Sequence, residues 1–178
     1  MSAALPARHA RHPRAALRAG VDYIARAQHQ AGCWTDFWVP VGSSDAWVSA
    51  YVGLALHAAS VCPSLDRYTR AGAFDRASRA AQWLLDQPRP RGGWGYNAGV
   101  WPDADTTAHA LTLLARLGIA APEDAVTFLR GHAAPEGGFR TYNRHEPAHQ
   151  WARPCPDVSA AALRALYEIG ELHQPDLG

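Results

Sequence analysis

Residues 76–118 read RASRAAQWLLDQPRPRGGWGYNAGVWPDADTTAHALTLLARLG. The stretch divides into a helical segment RASRAAQWLLDQ, a glycine-rich turn PRPRGGW, a linker, and a second helical segment DADTTAHALTLLARLG. Gly118 sits just past the last apolar residue of the second segment, where a helix stop belongs. A helix, a tight turn and a second helix make a hairpin, which cannot bury its apolar face alone and needs neighbours of the same kind.

Those neighbours lie on both sides. Upstream, ALRAGVDYIARAQ, the turn HQAGCW and SDAWVSAYVGLALHAA repeat the order. Downstream, PEDAVTFLRGH, the turn AAPEGGF and PDVSAAALRALYEIG repeat it again. Aligned on the turn aromatic, Trp34, Trp94 and Phe139 correspond. Aligned on an acidic helix start, Asp45, Asp105 and Asp157 correspond. Trp34 to Asp45 and Trp94 to Asp105 are both 11 residues, whereas Phe139 to Asp157 is 18, so the third linker carries an insertion. In the first unit Leu17, Val21, Ile24, Ala25 and Gln28 fall on one helical face. The second helix of each unit is rich in Ala, Val and Leu, as an inner helix of a hairpin layer should be. Pro122 before Glu123 and Asp124 marks a helix start, and Gly170 a stop.

The reading is all-α: three helical hairpins, or six helices, with essentially no β-sheet. Expected spans are 13–30, 44–60, 74–87, 104–117, 122–132 and 157–170. A basic arm (1–12) precedes a single helical-repeat domain (13–172, units about 13–60, 74–117 and 122–170), and a tail follows (173–178). An N-cap carboxylate is the structural reading of Asp45, Asp105 and Asp157, since Asp accepts hydrogen bonds from the free N–H groups of a first turn. Most of the seven tryptophans read as bolts between layers.

Composition narrows the function. Apolar residues make 48% and charged residues 19% of 178, enough for one buried core and against disorder. A net charge of +1 gives no ground for a nucleic-acid partner. All 17 basic residues are arginine, which removes Schiff-base lysine chemistry and the Walker lysine. Cys33, Cys62 and Cys155 are unpaired in spacing and read as reduced thiols. No segment reaches the length of a membrane span, and residues 1–18 lack the apolar run of a signal peptide, so a cytoplasmic location is expected.

The turns QHQAGCW and QPRPRGGW resemble the Gln-x-x-x-Gly-x-Trp motif of squalene–hopene and oxidosqualene cyclases. Gln28, Gly32 and Trp34 match in register; Gln87, Gly92 and Trp94 match with one extra residue. In the third unit His132 and Phe139 replace Gln and Trp. The segment Asp103-Ala104-Asp105-Thr106-Thr107-Ala108 resembles the Asp-x-Asp-Asp-Thr-Ala motif of class II terpene cyclases, with Thr106 in place of an Asp. The resemblance spans roughly residues 15–170 and implies an α/α toroid, of which three hairpins are about half a barrel. Prenyltransferase β-subunits resemble this toroid too.

The resemblance also implies a chemistry. The middle Asp of the family motif protonates an alkene or epoxide, and Asp105 is its counterpart. Burial and a like charge raise a carboxyl pKa, and a helix N-terminus lowers it; Asp103 would supply the like charge. His109, four residues on, shares a helical face with Asp105 and would orient or reprotonate it. Trp94, Tyr96 and Trp101 flank the segment and, with Thr106, would line an apolar substrate site whose π faces stabilise a carbocation. The expected function is acid-catalysed cyclisation or isomerisation of an apolar isoprenoid or polyene, with no cofactor and no metal. The alternatives are a non-catalytic helical-repeat binding or scaffold protein, and a zinc prenyltransferase-like subunit. The third linker gathers Glu136, His145, Glu146, His149, Cys155 and Asp157, but its prolines, Pro147, Pro154 and Pro156, argue against one helix presenting them to zinc. Two open arcs meeting in a homodimer would complete a toroid.

Overall fold

The computed structural model describes residues 13–36, 38–143 and 151–171. Helices α1 (Pro13–Ala27), α3 (Arg67–Asp86) and α5 (Glu123–Arg130) form an outer row. Helices α2 (Ala46–Ser60), α4 (Ala104–Arg116) and α6 (Pro156–Glu168) form an inner row, with α4 packed between α2 and α6. The three expected α/α hairpins are therefore present. A two-residue hairpin, β1 (Trp38–Val39) with β2 (Gly42–Ser43), is the one paired sheet among the described residues.

The rows sit close because the residues between them are small. Ala77, Ala80 and Ala81 on α3 are fully buried. A methyl group on Gly53 of α2 would lie 2.6 Å from the Leu113 side chain, so α2 and α4 meet closely where Leu113 packs over a glycine. Helices α4 and α6 both end in Schellman motifs, in which the backbone N–H groups of Gly118 and Ile119 donate to Ala115 and Leu114, and those of Gly170 and Glu171 to Tyr167 and Leu166.

One device recurs in each hairpin. The Trp34 indole N–H donates to the Ile24 carbonyl (2.9 Å) and its backbone N–H to the Ser49 hydroxyl (2.9 Å). The Trp94 indole N–H donates to the Leu84 carbonyl (2.8 Å) and its backbone N–H to the Thr107 hydroxyl (3.0 Å). In the third unit the Phe139 backbone N–H donates to the Ser159 hydroxyl (2.8 Å). Trp34 and Trp94 thus tie an outer helix to a hydroxyl one turn inside the inner helix, Phe139 keeps the bond to the inner helix, and all three rings are buried. Two residues earlier, Gly32 (φ +108°) and Gly92 (φ +93°) occupy the left-handed region, and a methyl group would strike the backbone carbonyls of Arg79 and Asp124 at 2.7 and 2.5 Å. Each of these two turns is a seat for the next outer helix.

These hydroxyls correct the repeat register. Ser49, Thr107 and Ser159 stand four residues after the N-caps Asp45, Asp103 and Cys155. The equivalent positions are therefore Asp45, Asp103 and Cys155, and two residues on, Trp47, Asp105 and Asp157. Asp105 and Asp157 are not caps but first-turn residues; Asp103 lies earlier and takes the cap, and Pro156 opens α6 with its fixed φ. The equal 11-residue spacing was a coincidence of linkers of different length. Helix α3 also begins seven residues before the expected start, because Asp66 caps it by accepting from the Tyr68 and Thr69 backbone N–H groups.

Candidate acid site on the inner helices

The Asp-x-Asp segment opens α4, and its two carboxylates face different surroundings. Asp103 is buried at the N-cap, where Oδ1 accepts from the Thr106 N–H (2.7 Å) and Oδ2 from the Thr106 hydroxyl (2.9 Å). Burial pushes its carboxyl up to about 7, a rise that the Thr106 hydrogen bonds oppose and the nearby Asp105 charge reinforces. Asp105, two residues on, points out of the cap and toward α2. Its Oδ2 accepts from the Trp47 indole N–H at 2.8 Å, and its Oδ1 lies 3.5 Å from Nε2 of His109.

His109 is mostly buried, and desolvation lowers its basicity; Asp105 pulls the other way and Arg164 of α6 adds to the lowering. Its imidazole stands edge-on to Trp47 (6.3 Å) and Tyr51 (5.9 Å), which are themselves stacked 5.4 Å apart. The cluster therefore joins α2 and α4, within reach of the Arg164 charge on α6. It holds one half-exposed carboxylate, a neutral imidazole and two aromatic faces, which is equipment for moving a proton beside an apolar, cation-tolerant surface.

The expected site residues divide into two groups. Asp105 and His109 come together. Thr106 is buried and spends both its N–H and its hydroxyl on Asp103, so it presents no group to a ligand. Trp94 is buried as a turn bolt, with the Arg89 guanidinium over its face. The ring of Trp101 carries the Arg91 guanidinium 3.5 Å above it. Tyr96 is half-buried; desolvation raises its phenol pKa, and its carbonyl accepts the Asp45 N–H. A cleft of about 140 Å³ lies beside these loops, lined by Asp45, Gln87, Trp94, Asn97 and Val100 among others, and does not reach Asp105.

Trp47, Tyr51 and Arg164 were not singled out in the sequence. The signal for Trp47 was present: in the corrected register it is the first unit's counterpart of Asp105, as Tyr51 is of His109. His145, Glu146 and His149 lie outside the described residues. Among the described residues no three His, Cys, Asp or Glu side chains gather as metal ligands, and Glu136 pairs with Arg140 at 3.0 Å.

No model of a known protein family matches the chain. Over 125 residues, 70% of this chain, it is 29% identical to squalene–hopene cyclase of Alicyclobacillus acidocaldarius subsp. acidocaldarius, of which it covers 18%. The solved type II terpene cyclase MstE from Scytonema superposes with a TM-score of 0.67 and 30% identity, over 84% of this chain and 44% of that one. The chain thus shares its α/α hairpin fold with type II terpene cyclases and is similar to them in sequence. It spans about half the length of the solved cyclases and less than a fifth of the curated one. An Asp-to-Asn variant of MstE was solved with geranylgeranyl dihydroxybenzoate as substrate; it superposes on this chain with a TM-score of 0.64 and 26% identity, over 89% of this chain and 50% of that one. No helix among the described residues is long and apolar enough to cross a membrane.

Proposed function

We propose that the chain takes part in acid-initiated cyclisation or isomerisation of an apolar polyene, with Asp105 as the acid. The observation that carries this reading is the setting of Asp105: a carboxylate at the start of an inner helix, held by the Trp47 indole N–H and adjoining His109 and the Trp47–Tyr51 aromatic pair. The Asp105 carboxylic acid adds its proton to one carbon of an alkene and leaves a tertiary cation on the other. Internal alkenes then attack in turn, forming C–C bonds, and loss of a proton restores a double bond. Atoms balance as an isomerisation, and no oxidant or reductant enters.

Each neighbour has a part in that sequence. The Trp47 N–H stabilises the carboxylate left behind. His109, kept neutral by burial, returns a proton from solvent. Asp103 holds the start of α4 in place by accepting from the Thr106 N–H and hydroxyl, and so positions Asp105 two residues on. Trp47 and Tyr51 offer π faces to the cation. MstE supports the choice of a polyene, because its substrate complex contains a geranylgeranyl chain. Incubating the protein with geranylgeranyl dihydroxybenzoate is expected to give products of unchanged mass with fewer alkenes. Recovery of only the linear compound overturns the reading.

A further inference from the structure

We infer that Arg164 of α6 anchors an oxyanion head group, a carboxylate or a phosphate, carried by the apolar molecule whose other end reaches Asp105. The inference deepens the proposed function and rests on that reading for the acid end alone; the head-group end stands on the geometry of the inner helices.

The corrected register places Trp47 of α2, Asp105 of α4 and Asp157 of α6 at one level. Helical spacing returns each helix to the same face four, seven and eleven residues later. Side chains of equal register meet across neighbouring helices at three of these levels. At the first, the Trp47 indole N–H donates to Asp105 (2.8 Å). At the second, four residues on, Tyr51 meets His109 edge-on (5.9 Å). At the fourth, eleven residues on, Arg116 pairs with Glu168. Equal register is therefore equal height along this face.

The third level, seven residues on, holds Leu54, Thr112 and Arg164. Leu54 is half-buried, and Thr112 is buried with its hydroxyl donated to the Ala108 carbonyl (2.8 Å). Arg164 is thus the polar group that this level offers, and it is exposed. Its charge reaches the second level, where it adds to the lowering of His109 basicity. Glu168, four residues further along α6, is already engaged by Arg116.

The face therefore runs from a carboxylate, past two aromatic rings and a leucine, to a guanidinium. Seven residues separate the two charged levels, about 10 Å at 1.5 Å per residue. A guanidinium beside a surface on which positive charge develops raises the energy of that charge, and an anion on the ligand cancels the repulsion. Arginine also presents a planar fork of donors that takes a carboxylate or phosphate through two hydrogen bonds. An amphiphile with an alkene at one end and an oxyanion at the other matches this order of groups.

Equilibrium dialysis of the full chain with geranylgeraniol, geranylgeranoic acid and geranylgeranyl monophosphate tests this without turnover. The probes share one chain and differ in head group. Each anion is expected to bind at least about 10-fold more tightly than the alcohol, the order of one charge-assisted hydrogen-bonded contact, and the tighter of the two names the oxyanion. Arg164→Gln is expected to remove that preference and leave the alcohol's affinity and the far-ultraviolet dichroism unchanged. Arg164→Lys, which keeps the charge without the fork, is expected to retain part of it. Arg116→Gln is expected to retain all of it. So is Asp105→Asn, which makes head-group selection independent of whether Asp105 is the acid. Equal affinity for the alcohol and both anions overturns the inference, as does a preference that survives Arg164→Gln or one that Arg116→Gln removes.

Discussion

Asp105→Asn is expected to lower conversion of geranylgeranyl dihydroxybenzoate by about 10² to 10⁴-fold, the usual contribution of a positioned general acid. Asn keeps a carbonyl oxygen for the Trp47 indole N–H and loses only the transferable proton. Asp105 caps nothing, and its side chain is 30% exposed, so stability should change by no more than about 0.5 kcal/mol. Circular dichroism and turnover measured on the same preparation separate the two effects. Asp45→Asn, at the cap of α2, is the comparison and should leave conversion unchanged. If both variants turn over alike, Asp105 is not the acid.

Asp103 should leave its mark on stability against pH. Its folded pKa of about 7 stands above the ordinary 3.8, because burial disfavours the charged form more than the Thr106 hydrogen bonds favour it. A raised folded pKa means that the unfolded chain releases this proton first as pH rises. The stabilisation is complete below pH 3.8 and is lost as pH climbs toward 7. At roughly 1.4 kcal/mol per unit, the loss across that window is a few kcal/mol. Asp103→Asn keeps an acceptor for the Thr106 N–H and cannot titrate. Urea unfolding should therefore show the wild type losing a few kcal/mol relative to the variant between about pH 4 and pH 7. Parallel stability curves would mean that the cap hydrogen bonds hold Asp103 ionised throughout.

The fold was legible because the hairpin signals are local. Helical periodicity, the turn aromatics Trp34, Trp94 and Phe139, and stops such as Gly118 and Gly170 each act within a few residues. Register was less legible. Three aspartates at helix starts suggested an alignment, but a helix begins wherever a cap is best satisfied, and Asp103 lies before Asp105 while Cys155 precedes Pro156. The hydroxyls Ser49, Thr107 and Ser159 carry the true register, and a short polar residue inside an apolar helix gives little sign of its partner across a turn.

The site was half legible for the same reason. His109 follows from Asp105 by helical spacing, but Trp47 is 58 residues away and joins them only because α2 packs against α4. Trp94 and Thr106 were expected at the substrate because they lie beside the motif in sequence. Their backbone and hydroxyl groups are instead committed to the turn and the cap.

The central claim is that a proton from Asp105 starts the reaction, and solvent deuterium tests it most directly. Protein exchanged into deuterium oxide and incubated with geranylgeranyl dihydroxybenzoate should yield cyclised product carrying one carbon-bound deuterium at the site of protonation. Asp105→Asn should leave the substrate linear and unlabelled. Cyclised product without deuterium, or labelled product formed equally by the Asn variant, would contradict the account.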